Sequence, residues 1–487
     1  MIKATFLLAL SLLAGGLQAA PLPLKVAGLQ IEDSSGKVVH LHGVDICSME
    51  WTAQGDHVLQ SIDVVTTQWH ANIIRLPLCQ DRWFGKTPDS AGPQMEAYRQ
   101  LVDSAVAEAA KHNAYIVLDL HWNDMNDWGQ NIGQHNLPDD NSIQFWQAVG
   151  KRYANRPNVL FDVYNEPHDI SWDVWKNGGQ VTESGHTYHS PGMQACLDAI
   201  RGTGANNVAI AGGLGYASQL DMPDADLLNN RNGQGIIYVD HFYPGWETVD
   251  SWQKRMDAAR RRFPIIVSEF GPGQPYGSDA HQVSRVLNYL QSNNMNWCAW
   301  CVHPQASPCL IKDWTYTVTP SFGLLVKEAL AGKVVPLQPR ETSSPEVTIY
   351  DDKFGDSWQS WSSADVDASS SEQVHGGNKS IRVKAAQGQN LLIGVCPFDA
   401  RRFTAIDFWL YAPAGLTAVL RASIMDNAQP PYTLEAPAPN TWTHYTIPLS
   451  KLGVGDSEYV KSFAFDITSP GSTLFYVDDA KVIGAKN

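Results

Sequence analysis

Eight short apolar runs recur between residues 38 and 303, and stretches of helical period separate and follow them. The runs are VVHLHGVDI (38–46), NIIRLPL (72–78), AYIVLDLHW (114–122), NVLFDVYNEP (158–167), NVAIAGG (207–213), IIYVDHFYP (236–244), PIIVSEFG (264–271) and NWCAWCVH (296–303). MEAYRQLVDSAVAEAAKH (95–112), SIQFWQAVGKRYA (142–154), SDAHQVSRVLNYLQS (278–292) and SFGLLVKEAL (321–330) are the clearest helical stretches. Strand-length runs alternating with helices require parallel strands joined by crossovers. Eight such units predict an α/β fold, the (β/α)8 TIM barrel, and about 310 residues suit one with long loops. An open, doubly wound sheet is the competing topology, but no Gly-rich phosphate turn follows the first run.

In such a barrel, chemistry sits where the strands end at their C-termini. Arg75 closes the second run, His121 and Trp122 the third, and Asn165 and Glu166 the fourth. His241 and Tyr243 close the sixth, Glu269 the seventh and Trp300 the eighth. A carboxylate beside an amide at the end of an apolar strand is costly to desolvate unless something uses it. Either Glu alone could cap a helix or pair with an arginine. Two at one rim, among His, Tyr, Asn, Arg and Trp, point to paired carboxylates in a cleft. That arrangement suits glycosidic bond hydrolysis, in which one carboxyl protonates the leaving oxygen while the other attacks the anomeric carbon or activates water there. Indole and phenol rings pack on the apolar faces of sugars, and the loops supply Trp51, Trp83, Trp122, Trp128, Trp172, Trp175, Trp246 and Trp300. Some of these must be structural. The formal net charge of −15 disfavours nucleic acid and anionic membranes as partners and is neutral toward an uncharged polysaccharide.

The set Arg75, His121, Asn165–Glu166–Pro167, His241-x-Tyr243, Glu269 and Trp300 resembles glycoside hydrolase family 5, the large cellulase family of clan A, over roughly residues 25–332. The resemblance implies that Glu166 is the acid/base and Glu269 the nucleophile of a retaining double displacement. It implies that Asn165 binds the 2-hydroxyl of the sugar, and that Arg75 and Tyr243 hold the nucleophile. His121 and His241 would line the same subsite and Trp300 would form its floor; Trp122 is a further substrate contact. No metal or cofactor is expected. An arginine near a carboxylate keeps it ionised, whereas a buried carboxyl holds its proton. Bland roles stay open: Arg75 could be a structural ion-pair partner of Glu269, and His121 and His241 could be satisfied core histidines. His168 and His303 are read as structural. Residues 167–190 form a long insertion after the fourth strand, where Trp172 and Trp175 are candidates for shaping distant subsites. The expected function is a secreted endo-β-1,4-glucanase acting as a monomer on a neutral β-linked polysaccharide. An endo-β-1,4-mannanase, or a glucomannan or xyloglucan hydrolase, is the rival within the family. A non-catalytic polysaccharide-binding barrel is the rival class, and two intact carboxylates argue against it.

Before the barrel, MIKATFLLALSLLAGGLQAAPLPL carries Lys3, an apolar run from Ala4 to Leu13 and then small residues. This is the pattern of a signal peptide over 1–19, cleaved after Ala19, and the run is too short to span a bilayer. The mature protein is expected outside the cytoplasm, extracellular or periplasmic. Export permits disulfides, yet the seven cysteines (47, 79, 196, 298, 301, 309, 396) are odd in number. Cys298 and Cys301, three apart on a strand, point to opposite faces and suit no shared zinc. A local Cys301–Cys309 bridge is one pairing open to them.

GKVVPLQPRETSSPE (332–346), with three prolines, reads as a linker that closes a barrel domain over 20–331. Residues 347–487 lose the helical pattern. SIRVKAA (380–386), AIDFWLYA (405–412), AVLRASIMD (418–426), THYTIPL (443–449), SFAFDI (462–467) and LFYVDDAKVIG (474–484) predict an all-β jelly-roll sandwich. YDDKF at its start with FYVDDAKV at its end is similar to carbohydrate-binding jelly rolls attached to cellulases, which implies a carbohydrate-binding module. Trp358, Trp361 and Tyr432 are its candidate exposed aromatics. Asp351, Asp352, Asp478 and Asp479 are candidates for a structural Ca²⁺, set against ordinary turn chemistry.

Overall fold

Strands enclosed on both faces have no polar side to display, so they appear in sequence as unbroken apolar runs. The structure is a computed structural model that describes residues 20–244, 247–273, 280–339, 346–355, 358–424, 427–457 and 460–484, with the side chains of 395–397 outside that set. All eight runs are strands: β1 (His42–Asp45), β2 (Ile73–Cys79), β3 (Tyr115–Trp122), β4 (Val159–Asp162), β5 (Ala209–Gly212), β6 (Ile236–Phe242), β7 (Ile265–Phe270) and β8 (Asn296–Ala299). They close into one barrel in chain order. Every residue of β2, β4, β6 and β7 is buried. The proposed signal peptide, Trp246 and part of the linker lie outside the described residues.

Inside the barrel one layer is charged rather than apolar. Arg75 of β2 lies in register with Asp45 of β1, and Asp119 of β3 with Asp162 of β4. All four are fully buried.

The crossovers use helices α1 (Val58–Thr67), α2 (Pro93–Lys111), α3 (Asp140–Tyr153), α4 (Gly192–Gly202), α5 (Val249–Ala259), α6 (Ala280–Ser292) and α7 (Gly323–Leu330). Their ends follow capping chemistry: Pro93 opens α2, and Asp139 and Ser142 form a capping box on α3. Among the described residues the eight full helices expected are not all present. Between β5 and β6 the chain forms only the kinked turn Leu214–Ala217 and the 3-10 turn Asp224–Asp226. Pro223 and a run rich in Asp, Asn and Gly there oppose a helix.

The insertion after β4 contains a short helix, Trp172–Asn177, and an antiparallel hairpin of Gly179–Glu183 with His186–Ser190. Gly178 joins them at φ +79°, where a Cβ would lie 2.2 Å from the Ser190 carbonyl, so only glycine fits. Trp175 does not shape a subsite. It is fully buried and its Nε1 donates to the Gly212 carbonyl at 3.0 Å. Trp83 is likewise a core residue, packed edge-on against Phe145, whereas Trp172 keeps partial exposure.

Residues 346–484 form two antiparallel sheets around an apolar core. Their longer strands are β9 (Glu346–Asp351), β10 (Asp365–Ser370), β11 (Ser380–Ala386), β12 (Asn390–Phe398), β13 (Ala405–Ala412), β14 (Ala418–Ile424), β15 (Thr441–Pro448), β16 (Val460–Ile467) and β17 (Ser472–Ile483). In one sheet β17 pairs with β9, β11 and β13, and β13 with β15. In the other, β16 lies between β12 and β14. Alternation sends Phe408, Leu410, Phe463 and Phe465 inward. Trp358 is also inward, 4% exposed and stacked 6.2 Å from Phe463, which removes it from the exposed aromatics. Tyr432 is partly buried against the same core, and Trp361 stands exposed.

Two of the candidate calcium residues, Asp352 and Asp478, accept from backbone donors, and Asp479 pairs with the His375 ring at 2.5 Å. Asp352 accepts from the N–H groups of Asn378 and Lys379, and Asp478 from those of His375 and Asp479. They form no cluster able to share one ion among the described residues. Nor does a bridge join Cys301 to Cys309: both are thiols, and Cys301 Sγ donates to the Ala306 carbonyl. Among the described residues no helix is long and apolar enough to cross a membrane.

Candidate active site

Arg75 organises the first group of polar side chains. Its guanidinium pairs with Asp45 at 3.2 Å and with Asp119 and Asp162 at 3.1 Å each, all without solvent contact. One cation among three buried carboxyls cannot stabilise three full negative charges. Burial pushes Asp119 up to about 7, against the pull of Arg75. Arg75 also donates to Asn165 Oδ1 at 2.6 Å, which fixes the amide's orientation. Asn165 Nδ2 then faces Gln134 Oε1 at 2.8 Å and His121 Nε2 at 3.4 Å. His121 Nδ1 bonds Asp119 Oδ2 at 2.6 Å, so Asp119 sets the ring's orientation.

Glu166 follows Asn165 beyond the end of β4 and is half-buried. Its backbone carbonyl accepts from Gln134 Nε2 at 3.0 Å and bonds His168 Nδ1 at 2.8 Å. Burial pushes its carboxyl up to about 7; His121, Arg75 and His168 pull it back, and Asp119 adds to the rise. A carboxyl that keeps its proton near neutrality is equipped to act as a general acid.

The second group comes from the ends of β6, β7 and β8. A bulge between Asp240 and His241 places His241 beside Glu269 in the β6–β7 register. Asp240 turns the other way, to Trp252 Nε1 and Arg255 on α5. Tyr243 donates to Glu269 Oε2 at 2.8 Å, and His241 Nδ1 lies 3.7 Å from the same oxygen. His241 Nε2 pairs with Ser268 Oγ at 3.0 Å, which makes this imidazole a positioned group rather than an idle core residue. Trp300 is half-buried at the end of β8, its N–H on the Phe270 carbonyl at 3.1 Å. Trp122 is half-buried at the end of β3.

The structure thus joins Arg75, His121, Asn165 and Glu166 in one network and His241, Tyr243 and Glu269 in another. Asp45, Asp119, Asp162 and Gln134 belong to the first network without having been named from the sequence. Asp119 lies two before His121 and so faces the same way on the strand, a signal available in advance. His168, read as structural, sits two residues beyond Glu166 and its Nδ1 bonds the Glu166 backbone carbonyl. Gln134 comes from the β3–α3 loop, whose course no periodicity reveals. His303 is structural as expected, its Nδ1 accepting from Gln305 and Ala306 N–H. Asp63, Glu108 and His112 lie close enough to share an ion, but His112 Nε2 already pairs with both carboxylates.

A carboxyl raised by burial beyond the end of β4 and a hydrogen-bonded one at the end of β7 of a (β/α)8 barrel are the pairing that glycoside hydrolysis uses. Residues 32–306 match the model of the cellulase family, glycosyl hydrolase family 5, and the chain belongs to that family. An endoglucanase of Clostridium saccharobutylicum is 25% identical over 337 residues, covering 67% of this chain and 68% of that protein. Endoglucanase E-5 of Thermobifida fusca is 26% identical over 286 residues, 57% of this chain but 54% of that protein, so the chain spans little more than half its length. Among solved structures, the fold is shared with a β-glucanase of Saccharophagus degradans in complex with cellotetraose. The TM-score is 0.52 at 21% identity, over 65% of this chain and 94% of that one.

Proposed function

We propose that the protein is a secreted, retaining endo-β-1,4-glucanase. The observation that carries this is the unlike setting of the two carboxyls: Glu166 is pushed up to about 7 by burial, and Glu269 receives the Tyr243 hydroxyl. Glu166 protonates the glycosidic oxygen while Glu269 attacks the anomeric carbon, displacing the leaving sugar and forming a glycosyl ester. Glu166, now ionised, takes a proton from the water that hydrolyses the ester, which restores both groups. Asn165 Nδ2, aimed by Arg75, donates to the 2-hydroxyl, and Trp122 and Trp300 pack on sugar faces. The names of the relatives, endoglucanases, and the cellotetraose complex of the structural neighbour favour β-glucan. The N-terminal pattern of residues 1–19 supports export, and the C-terminal sandwich reads as a polysaccharide-binding module on a monomeric enzyme.

Reducing-sugar release from carboxymethylcellulose, glucomannan, xyloglucan and mannan tests the substrate, with carboxymethylcellulose expected to be cleaved; activity on mannan alone overturns it. Proton NMR of the first sugars released tests the mechanism. The β-anomer should appear before mutarotation; an initial α-anomer defeats double displacement. Glu269→Ala should abolish turnover, and azide should restore it with an α-configured product.

A further inference from the structure

The outer face of the β12–β16–β14 sheet carries a trough that the barrel chemistry leaves unexplained. Its floor is made of Leu392 and the small residues Ser423, Ser462 and Ala464, with Gly394 beside them under the Trp361 ring. Gly394, Ser462, Ala464 and Ser423 face outward because Ile393, Phe463, Phe465 and Ala422 beside them point into the core. The cavity above them has a volume of about 290 Å³, and Trp361, Asn390, Arg421 and Lys461 stand around it. Trp361 lies across β12 so closely that a Cβ on Gly394 would meet its indole at 2.0 Å. One side of the ring therefore rests on backbone, and Trp361 is still 39% exposed.

The polar groups around that ring are set for hydroxyls. Asp466 pairs with Arg421 at 2.8 Å and accepts from Asn390 Nδ2 at 3.1 Å. The hydroxyls of Ser423 and Ser462 share a 2.7 Å bond on the floor. Lys461 holds its ammonium 5.9 Å from the Trp361 ring centre. A β-linked pyranose presents a flat C–H face suited to an indole and a rim of hydroxyls suited to an amide, a carboxylate and a guanidinium. Arg421 is charge-matched by Asp466, and Asp466 repels an acidic sugar at that end of the trough. The aromatics of the opposite sheet are less available, since Trp409 already stacks with His375 at 3.9 Å and His444 at 4.6 Å.

We propose that this trough binds a neutral β-linked glucan chain, with Trp361 as the stacking platform and Asn390, Arg421, Asp466 and Ser462 as hydroxyl partners. The proposal deepens the reading of the substrate as β-glucan and rests on it. The test is calorimetric titration of the full-length chain, inactivated by Glu166→Gln, with cellohexaose. Two classes of site are expected. Adding Trp361→Ala should weaken one of them by about tenfold or more, the loss of a stacked ring. Trp361→Phe, which keeps a flat apolar face, should retain it. Thermal melting of both variants checks that the sandwich is folded. Two unchanged sites in a folded Trp361→Ala chain overturn the trough and leave the barrel reading standing. A single class of site from the outset does the same. No binding by any variant overturns both. Tighter Trp361-dependent binding of polygalacturonate than of cellohexaose overturns the neutral ligand.

Discussion

The barrel mouth and the outer face of the sandwich both combine aromatic rings with charged side chains, but they hold the charges differently. At the mouth, Arg75 has three carboxylate partners and an amide, all out of water. On the sandwich, Arg421 has one carboxylate, and its side chain is 37% exposed. Removing a member of a buried network strands the others in a low dielectric, whereas removing an exposed partner returns the survivor to water. The mouth should therefore be unforgiving of substitution and sensitive to pH, and the sandwich face tolerant in fold and sensitive only in binding.

The largest effect expected is catalytic. Glu166→Gln should lower kcat/KM on polysaccharide by about 10²–10⁴, the usual worth of a general acid. Wild-type activity should fall on the alkaline side as Glu166 loses its proton near about 7. With an activated leaving group the variant should lose that limb. A limb that persists places the acid elsewhere and removes the mouth's special status.

Arg75→Met comes next. It strands three buried carboxyls and should destabilise the fold by about 3–5 kcal/mol in urea titrations. The sign with pH follows from Asp119, whose folded value is raised to about 7 above the usual carboxylate range. Its stabilising contribution is complete in acid, where both folded and unfolded forms are protonated, and is lost as pH rises toward 7. The damage from Arg75→Met should therefore shrink as pH falls from 7 to about 4. Equal damage at both pH values would show that the aspartates do not carry the cost.

Gln134→Ala removes the acceptor of Asn165 Nδ2 and a donor to the Glu166 carbonyl. At about 1 kcal/mol for each of the two hydrogen bonds, kcat/KM should fall by about 30-fold. Melting should change little. An unchanged kcat/KM would mean that Arg75 alone orients Asn165.

The same contrast explains what was legible in the sequence. Barrel strands are apolar without interruption because both faces are enclosed, and once eight are counted the rim residues follow from strand ends alone. The placement of Glu166, Glu269, Tyr243 and Asn165 at the strand ends was readable for that reason. Gln134 was not, because a loop's path is set by tertiary contacts that leave no period. Trp175 and Trp172 are three apart in one insertion, yet only Trp175 is swallowed by the core, where its Nε1 meets the Gly212 carbonyl at the end of β5, a contact no local pattern announces. In the sandwich, Trp358 and Trp361 sit three apart in a turn-rich stretch. Which of them faces out depends on the course of the short strand Gln359–Ser360 along β12, where Gly394 leaves room for an indole. That register is not written in the local pattern.

The smallest effect tests the tolerant side of the contrast. Arg421→Ala and Asp466→Ala should each cost less than about 1 kcal/mol of stability, because an ion pair that water reaches on both sides (37% and 19% exposed) gains little Coulomb energy and water takes over the survivor. Asp466 keeps its Asn390 bond at 3.1 Å when Arg421 is gone, so even the remaining carboxylate is not stranded. A double-mutant cycle should give a coupling of about 0.2–1 kcal/mol, and 1 M salt should reduce it further, since the screening length there is about 3 Å. The same cycle on Arg75 and Asp162 should give a larger coupling that salt hardly touches, because no water reaches the pair. If the Arg421–Asp466 coupling exceeded about 2 kcal/mol and survived salt, the sandwich face would be as tightly organised as the mouth. Loss of glucan binding in Arg421→Ala could then reflect collapse of the trough, and only Trp361→Phe against Trp361→Ala would still separate stacking from scaffold.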